Sequence, residues 1–217
     1  MEGLSLTQVY VAENVVLDAR LALFHERESW LAIADLHYGF ELSQRAAGRL
    51  VPFWGMASAT TRVFELLDEY RPRRLILLGD LVHDHTALQP LRKLLEDVGE
   101  RCELIAIAGN HDRKLRRFIE LRDSFETDDF EFRHGHCREA ASGRTQIIGH
   151  FHPAAILRDG AGLRLKLPAF VQEERCWILP AFSPWSAGTE WTPAENSRVW
   201  VCSGQRIFAL APSEWVA

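Results

Sequence analysis

Apolar positions in the first half of the chain follow a strand pattern and a helix pattern in turn. The strand patterns cover residues 4–11, 15–24, 30–36, 74–80 and 103–109. Helical spacing relates Thr60, Val63, Leu66, Leu67 and Tyr70 in one segment, and Leu88, Leu91, Leu95 and Val98 in another. Pro72 and Gly99 follow these segments and end the two predicted helices. Strands that alternate with helices in this way are typical of a parallel sheet.

The second half of the chain has a different pattern, with short strands separated by turns and few helical signals. The predicted strands are contained in residues 130–135, 144–150, 163–168, 174–182, 197–204 and 205–211. With 217 residues, of which 47% are hydrophobic, the chain is long enough to bury a sizeable core. We therefore predict an α/β fold, a two-sheet α/β sandwich, with a single domain over residues 1–217.

Composition and charge exclude several classes of protein. The formal charge of -5 and the pI of about 6.0 argue against a general polyanion binder, although the basic runs 71–74 and 113–117 form either local patches or solvated faces. The four cysteines are far apart, which predicts neither a zinc knuckle nor a disulfide framework. Residues 1–11 lack the features of a secretion signal, and no apolar run is long enough to span a membrane. These features predict a soluble, cytoplasmic protein without a membrane partner.

Polar side chains that carry chemistry follow five of the predicted strands. They are Asp35 and His37, Asp80 and His83, Asn110, His111 and Asp112, His134 and His136, and His150 and His152. Ligands of open α/β sheets bind outside the carboxyl ends of the strands, so residues that are distant in sequence can meet there. Residues i and i+2 of an extended segment point to the same side, which would bring Asp35 and His37, or His150 and His152, to a common centre.

This mixture of residue types indicates a metal site. A single Asp or His at a strand end is more often a cap, a turn residue or a surface group, but five such clusters together favour function. Carboxylates, imidazoles and one amide, without a thiolate, suit hard-to-borderline ions such as Mn²⁺, Fe²⁺, Fe³⁺, Zn²⁺, Ni²⁺ or Co²⁺. Seven ligands are too many for one catalytic ion. They fit two divalent metal ions that lie about 3.5–4 Å from each other and share one bridging carboxylate.

In their order, the motifs D-x-H (35–37), G-D (79–80), G-N-H-D (109–112), H-G-H (134–136) and G-H-x-H (149–152) resemble those of the calcineurin-like metallophosphoesterases. The resemblance implies a dinuclear metal site at the C-terminal ends of the strands. The implied ligands are Asp35, His37 and His152 for the first metal, Asp80 as the bridge, and Asn110, His134 and His150 for the second metal. It also implies that His111 is the general acid or transition-state stabiliser and that Asp112 orients its ring, while the role of His136 stays open.

Three flanking segments, 48–52, 71–83 and 167–188, are similar to the bacterial branch that is often encoded beside an ATP-dependent DNA ligase. This resemblance implies a Mn²⁺-preferring phosphodiesterase or nuclease linked to DNA repair, with DNA ligase and other repair proteins as partners. Many relatives have G-D-x-x-D where this chain has His83 at the last position. His83 is therefore either a group near the ligands, a substrate contact or a solvent-facing loop residue beside His85.

The predicted reaction is metal-assisted hydrolysis, in which water or hydroxide between two ions attacks phosphorus in line. The metals and His111 would neutralise charge on the non-bridging and leaving oxygens, and no phosphoenzyme is expected. The sequence contains neither G-x-x-x-x-G-K-[ST] nor G-x-S-x-G, which argues against a P-loop NTPase and a nucleophile-elbow hydrolase.

Three functions are consistent with these residues. The first is a phosphodiesterase or nuclease acting on nucleic acid or nucleotide phosphodiesters, and the second is a phosphomonoesterase or nucleotide pyrophosphohydrolase with the same metal site. The third is a non-catalytic metal-binding scaffold, which is least favoured because such relatives typically lose a ligand or the catalytic histidine. The sequence leaves open whether the substrate is DNA, RNA or a small nucleotide, and it does not define the oligomeric state.

Basic and aromatic residues beside the motifs give the only indications of how a substrate binds. Arg113 follows G-N-H-D directly, at the start of a predicted helix, from which it can reach a phosphate near the metals. Trp54, Trp185 and Trp191 lie in stretches predicted to be irregular, where they either stack on a base or cover an edge of the core.

Overall fold

The structure is a computed structural model that describes residues 7–136, 143–158, 161–192 and 194–211, without the side chain of Arg113. Its first sheet has six strands in the order of the chain: β1 (Gln8–Ala12), β2 (Val15–Asp18), β3 (Ala22–His25), β4 (Trp30–Ala34), β5 (Arg74–Leu78) and β6 (Glu103–Ile107). Strands β1 to β4 pair antiparallel, and β4, β5 and β6 run parallel. The predicted parallel sheet is therefore confirmed for β4, β5 and β6.

The segment 15–24, predicted as one strand, is a hairpin of two strands, β2 and β3. The turn forms because the Asp18 carboxylate accepts hydrogen bonds from the backbone amide of Arg20 at 2.8 Å and from its side-chain Nε at 2.9 Å. Leu21 then takes a φ of 71°, which reverses the chain. The continuous apolar pattern hid this turn because the residues on both sides of it are buried.

The described part of the chain contains three α-helices: α1 (Phe40–Ala46), α2 (Trp54–Tyr70) and α3 (Leu88–Gly99). The short helix α1 was not predicted, and α2 begins at Trp54, which is therefore helical and not in an irregular stretch. Short 3₁₀ helices cover His85–Ala87 and Asp112–Arg117, so the helix expected after the G-N-H-D motif is a 3₁₀ helix. Both longer helices bury the apolar faces that their sequence spacing predicted.

The second sheet is formed by the second half of the chain. Its strands are β7 (Ser124–Glu126), β8 (Phe130–Arg133), β9 (Thr145–Ile148), β10 (Pro153–Arg158), β11 (Arg164–Glu173), β12 (Cys176–Ile178), β13 (Thr189–Glu190), β14 (Arg198–Cys202) and β15 (Ile207–Leu210). The order is β13-β10-β11-β12-β9-β8-β7, and β14 pairs with both β11 and β15. Sequence patterns did not predict β7, β10 or β13. Strands β8, β9 and β12 run parallel and end at the same edge.

The two sheets pack against each other around Trp30 of β4. Its ring is fully buried and lies edge-on to Phe130 at 5.0 Å and to Phe132 at 4.9 Å, both from β8. At the carboxyl ends of the strands, the backbone amide of Phe182 donates to the carbonyl of Ala34 at 2.7 Å. This packing confirms the predicted two-sheet α/β sandwich, while the single domain over residues 1–217 stays a prediction. No helix in the described ranges is both long and apolar enough to cross a membrane.

Candidate metal centre

The polar residues predicted from the sequence meet where the two sheets end together. One group contains Asp35, His37 and His152, and a second contains Asp80, His134 and His150. Within each group, one potential ligand atom from every residue lies within 4.8 Å of the others. The amide oxygen of Asn110 lies 3.1 Å from Nε2 of His134, which places it at the second group. The structure therefore brings together all seven residues that the motifs identified as ligands.

The imidazole nitrogens face each other in pairs. Nε2 of His37 lies 3.4 Å from Nε2 of His152, and Nδ1 of His150 lies 3.2 Å from Nε2 of His134. Donor atoms about 2.1 Å from one ion, at tetrahedral or octahedral angles, lie about 3.0–3.4 Å from each other. The spacing of both pairs fits ligands of a common metal ion.

Asp80 lies between the two groups. Its Oδ2 atom is 3.6 Å from Nε2 of His134 in its own group and 4.0 Å from Nε2 of His37 in the other. The other carboxylate oxygen, Oδ1, accepts a hydrogen bond of 3.0 Å from the backbone amide of His111, which fixes the side chain. This position suits a carboxylate shared by two ions.

Contacts on the far side of two imidazoles orient their free nitrogens toward the centre. Nδ1 of His134 lies 3.0 Å from the carbonyl oxygen of Leu78, and Nδ1 of His152 lies 3.1 Å from Oγ of Ser186. When Nδ1–H donates to such an oxygen, Nε2 is left with the lone pair that a metal requires. Ser186 was not found from the sequence, because it lies in the tail segment far from every histidine motif.

One carboxylate oxygen at the centre is left without a hydrogen bond. Asp35 is 0% exposed, and its Oδ2 atom accepts from the backbone amide of His150 at 2.8 Å. Its Oδ1 atom is buried and has no hydrogen-bond partner among the residues that the structure describes. Nε2 of His152 lies 3.4 Å and Nδ1 of His134 3.6 Å from this oxygen, and a divalent cation would satisfy it without requiring a proton on either ring. The donor set and this orphaned oxygen both fit a metal site.

Burial shifts the imidazole pKa values in a direction that helps metal binding at two positions. Burial lowers the pKa of His37 to about 4, although the carboxylates of Asp35 and Asp80 oppose the shift. Burial also lowers the pKa of His150. At His152, burial lowers the pKa, but the carboxylates of Asp35 and Asp80 together outweigh this effect and leave the pKa raised. His37 and His150 are therefore neutral at pH 7, as a metal ligand must be.

The backbone at the ligands is left-handed and not extended, which corrects the expectation from strand alternation. The φ angles are positive at five of the proposed ligands, Asp35 (52°), His37 (41°), Asp80 (45°), His150 (68°) and His152 (47°). Positive φ is uncommon for residues other than glycine, and such strain concentrates at functional sites. At these five residues a sharp turn of the chain, not the pleat of a strand, aims the side chains at the centre.

Gly79 gives His134 the space it needs beside Asp80. A Cβ atom at Gly79, which has a φ of +74°, would lie 2.2 Å from Nδ1 of His134. We expect Gly79→Ala to lower the free energy of unfolding by about 2–4 kcal/mol, from left-handed backbone strain and from overpacking. Denaturant unfolding measures this loss.

Gly48→Ala is the matched control for Gly79→Ala. Gly48 has a φ of +80°, but an added Cβ meets no atom within 4 Å in the described part of the chain. Gly48→Ala should therefore lower the free energy of unfolding by only about 1–2 kcal/mol, from backbone strain alone. Equal losses for the two variants would show that His134 does not fill the space beside Gly79.

His111 stands beside the two groups without joining either. Its side chain is 49% exposed, and Nε2 lies 3.9 Å from Oδ2 of Asp80. The ring centroid is 5.9 Å from that of His37. An imidazole that is exposed to solvent and adjacent to the ligands can meet a group bound at the centre.

No hydrogen bond joins Asp112 to the ring of His111 among the described residues, and the expectation that Asp112 orients that ring stays a prediction. Its carboxylate is fully buried and accepts from the backbone amides of Leu81, at 3.0 Å, and Gly109, at 2.9 Å. Burial raises the pKa of Asp112, and these amide donors oppose the shift. Asp112 thus connects the loop that follows β5, with Asp80, to the loop that follows β6, with Asn110.

The remaining predicted residues lie at the border of the centre. The ring of His83 is half-buried, 6.3 Å from that of His37 and 4.9 Å from that of Phe40. His136 is exposed, with its ring 5.2 Å from that of His134, so His134 is the histidine of the H-G-H motif that enters the second group. The side chain of Arg113 lies outside the described residues.

Two neighbouring groups of carboxylate and imidazole ligands at the edge of an α/β sandwich define a class of protein, the hydrolases that use two metal ions. A family model described as calcineurin-like phosphoesterase matches residues 30–195. The chain therefore belongs to the calcineurin-like phosphoesterase family, and it is a metal-dependent phosphoric ester hydrolase. Family members depend on a dinuclear metal centre, as the two groups of residues in this chain indicate.

Solved structures resemble this chain over most of its length. The crystal structure of Pseudomonas putida nuclease MPE has 27% sequence identity and a TM-score of 0.72, and the match covers 94% of this chain and 98% of that chain. Yfce, a phosphoesterase from E. coli, has 16% identity and a TM-score of 0.45, with 83% and 96% of the two chains covered. Curated proteins give no significant match. The first similarity is consistent with the ligase-associated branch that the flanking segments 48–52, 71–83 and 167–188 resemble.

Proposed function

We propose that this protein is a dinuclear-metal-dependent phosphodiesterase, a nuclease that cleaves nucleic acid or nucleotide phosphodiesters in DNA repair. The observation that carries the proposal is the arrangement of two ligand groups around Asp80, with the exposed His111 beside them. The similarity to a nuclease over nearly the full length of both chains supports the choice of a phosphodiester substrate.

The proposal gives each group of residues a separate task. Asp35, His37 and His152 would hold one ion, Asn110, His134 and His150 the other, and Asp80 would bind both. Bound there, two divalent ions supply Lewis-acid activation of water and neutralise charge on phosphate oxygens. Asp80 and Asp35, both buried, would be the carboxylate ligands of these ions.

The residues around the ligands would act on the substrate or on the loops. His111 donates a proton to the leaving oxygen or stabilises its charge, since its ring is exposed next to Asp80. Asp112 is a positioning residue, because it fixes the loops of Asp80 and Asn110 through backbone hydrogen bonds. Arg113 and His83 are proposed as substrate contacts, Arg113 from its place after the G-N-H-D motif and His83 from its ring contact with His37.

The resemblance to the ligase-associated branch supplies the finer parts of the proposal. These are Mn²⁺ as the native ion, and DNA ligase and other repair proteins as partners. The cytoplasmic location is proposed from the sequence features of residues 1–11 and from the hydropathy of the chain. Affinity order alone would favour other ions, so the preference for Mn²⁺ rests on family habit and on the mixed oxygen and nitrogen ligands.

Hydrolysis of a diester and a monoester by metal-stripped protein tests the proposal. We expect bis-p-nitrophenyl phosphate to be cleaved only after Mn²⁺ is added, and faster than p-nitrophenyl phosphate. Metal is required because the ions activate the attacking water and neutralise negative charge on the phosphate oxygens. Release of p-nitrophenol measures both reactions, with metal-stripped protein in chelator as the control.

Each other outcome selects a different function. Faster cleavage of the monoester would keep the metal centre and replace the nuclease by a phosphomonoesterase or nucleotide pyrophosphohydrolase. Absence of turnover with every divalent ion, in protein that binds metal, would favour the non-catalytic scaffold.

A further inference from the structure

A row of aromatic rings runs from the candidate metal centre to the protein surface. The ring of His83 is 6.3 Å from that of His37, and the ring of Phe40 is 4.9 Å from that of His83. Trp185 follows, stacked at 5.8 Å from Phe40, and Trp54 lies 4.8 Å beyond Trp185. We call His83, Phe40, Trp185 and Trp54 the aromatic row. It connects a residue of the first ligand group with the start of helix α2.

Trp185 is held in place by contacts that packing alone would not require. Its indole Nε1 donates to Oε2 of Glu41 at 3.0 Å, and Oε1 of Glu41 accepts from the backbone amide of Met56 at 2.6 Å. Glu41 is only 1% exposed, and both of its buried carboxylate oxygens are satisfied by these two donors. A Cβ atom at Gly55 would lie 2.0 Å from the same Nε1, so only glycine permits this approach. The ring plane of Trp185 is therefore fixed before any ligand binds.

The outer end of the aromatic row is open to solvent. The side chain of Trp54 is 50% exposed, whereas Trp30, Trp177 and Trp200 are buried in the core. A tryptophan that only covered the edge of the core would bury most of its ring, because the ring gains free energy from each buried surface. Trp54 instead presents a large apolar face to solvent at the outer end of the aromatic row.

We propose that the aromatic row binds a nucleobase of the strand whose phosphodiester lies at the metal centre. This inference rests on the proposed function and identifies how that substrate is held. Every base has a π-face, so stacking on tryptophan holds a strand without requiring one sequence. The formal charge of -5 is unfavourable for binding through phosphates alone, which gives stacking a larger share of the affinity.

Two esters with the same leaving group test the proposal by kinetics with Mn²⁺. Thymidine 5′-(p-nitrophenyl phosphate) carries a base, and methyl p-nitrophenyl phosphate does not. Trp54→Ala should lower kcat/KM for the thymidine ester roughly 5- to 150-fold, as expected for the loss of one stacked base, and should leave the methyl ester unchanged within about twofold. Trp54→Phe keeps an aromatic face and should recover most of the loss.

Phe208→Ala is the control variant, because it removes an exposed aromatic ring from β15 in the second sheet, outside the aromatic row. Its kcat/KM should match that of the wild type for both esters. Equal losses on the two esters for Trp54→Ala, or no loss on either, would overturn the proposal and leave Trp54 with a structural role only.

A binding measurement separates this proposal from the proposed function. Fluorescence anisotropy in chelator compares an oligothymidylate with an abasic oligonucleotide of equal length and charge. The wild type should bind the oligothymidylate more tightly, and Trp54→Ala should reduce this difference. Equal affinity of the wild type for both strands would refute stacking even if diesters are hydrolysed. Conversely, preferential binding without any diester hydrolysis would keep the aromatic row and refute the nuclease.

Discussion

Asp80→Asn is expected to lower kcat for phosphodiester hydrolysis by about 10³-fold or more, which corresponds to several kcal/mol of transition-state stabilisation from the metals. Asp80 is 3% exposed and lies between both ligand groups, with Oδ2 within 4.0 Å of His37 and His134. An asparagine keeps the shape and the hydrogen bond from the amide of His111, but it removes the negative charge. Both ions should therefore bind more weakly, while the metal-free fold is preserved.

Metal binding and thermal unfolding measure the effect of Asp80→Asn independently of turnover. Mn²⁺ at 100 times its dissociation constant should stabilise the wild type by about 2.7 kcal/mol, because it binds only the folded state. The variant should show a smaller rise in Tm with Mn²⁺ and less than the full complement of metal by elemental analysis. Retention of two ions with full stabilisation would contradict the bridging role of Asp80.

Asp18→Asn is the matched control for this variant. Asp18 is also a buried aspartate, and it accepts hydrogen bonds from Arg20 and Tyr70 in the first sheet. Its loss should lower the Tm of the metal-free protein but leave the rise in Tm with Mn²⁺ unchanged. The two variants together separate the loss of a buried charge from the loss of a metal ligand.

The place of the site could be predicted from the sequence, because the residues follow apolar strands directly. Asp35 comes after β4, Asp80 after β5 and His134 after β8, and parallel strands carry their carboxyl ends to one edge. The position of each residue directly after a strand was therefore enough to predict that these side chains meet. The local geometry could not be predicted in the same way, since the left-handed backbone at Asp35 and Asp80 has no sequence pattern of its own.

Contacts between distant segments account for the other differences between sequence and structure. Asp112 follows His111 in the chain, but its carboxylate is directed to the amides of Leu81 and Gly109 because the loop after β5 closes over it. The sequence left three alternatives for His83: a group near the ligands, a substrate contact or a solvent-facing loop residue. Its half-buried ring packs on Phe40 of the unpredicted helix α1, a contact that favours the first two. Such contacts depend on tertiary packing, which neither periodicity nor spacing records.

His111→Ala is expected to lower kcat by roughly 10²- to 10⁴-fold while the metal content stays at the wild-type level. The imidazole is 49% exposed and lies outside both ligand groups, so its loss removes a proton donor or a stabilising charge but no metal ligand. Steady-state kinetics and elemental analysis of the same preparation measure the two quantities. His85→Ala, which removes another exposed histidine, in the 3₁₀ helix His85–Ala87, is the control and should keep the wild-type kcat.

The dependence of this loss on the leaving group distinguishes the two roles proposed for His111. A p-nitrophenolate leaves without a proton, so a variant without the general acid should cleave a nitrophenyl diester much better than a dinucleotide, whose alkoxide needs protonation. If His111 instead stabilises the non-bridging oxygens, both substrates should lose activity by a similar factor. Loss of metal from His111→Ala would contradict both roles, because it would show that the imidazole of His111 is itself a metal ligand.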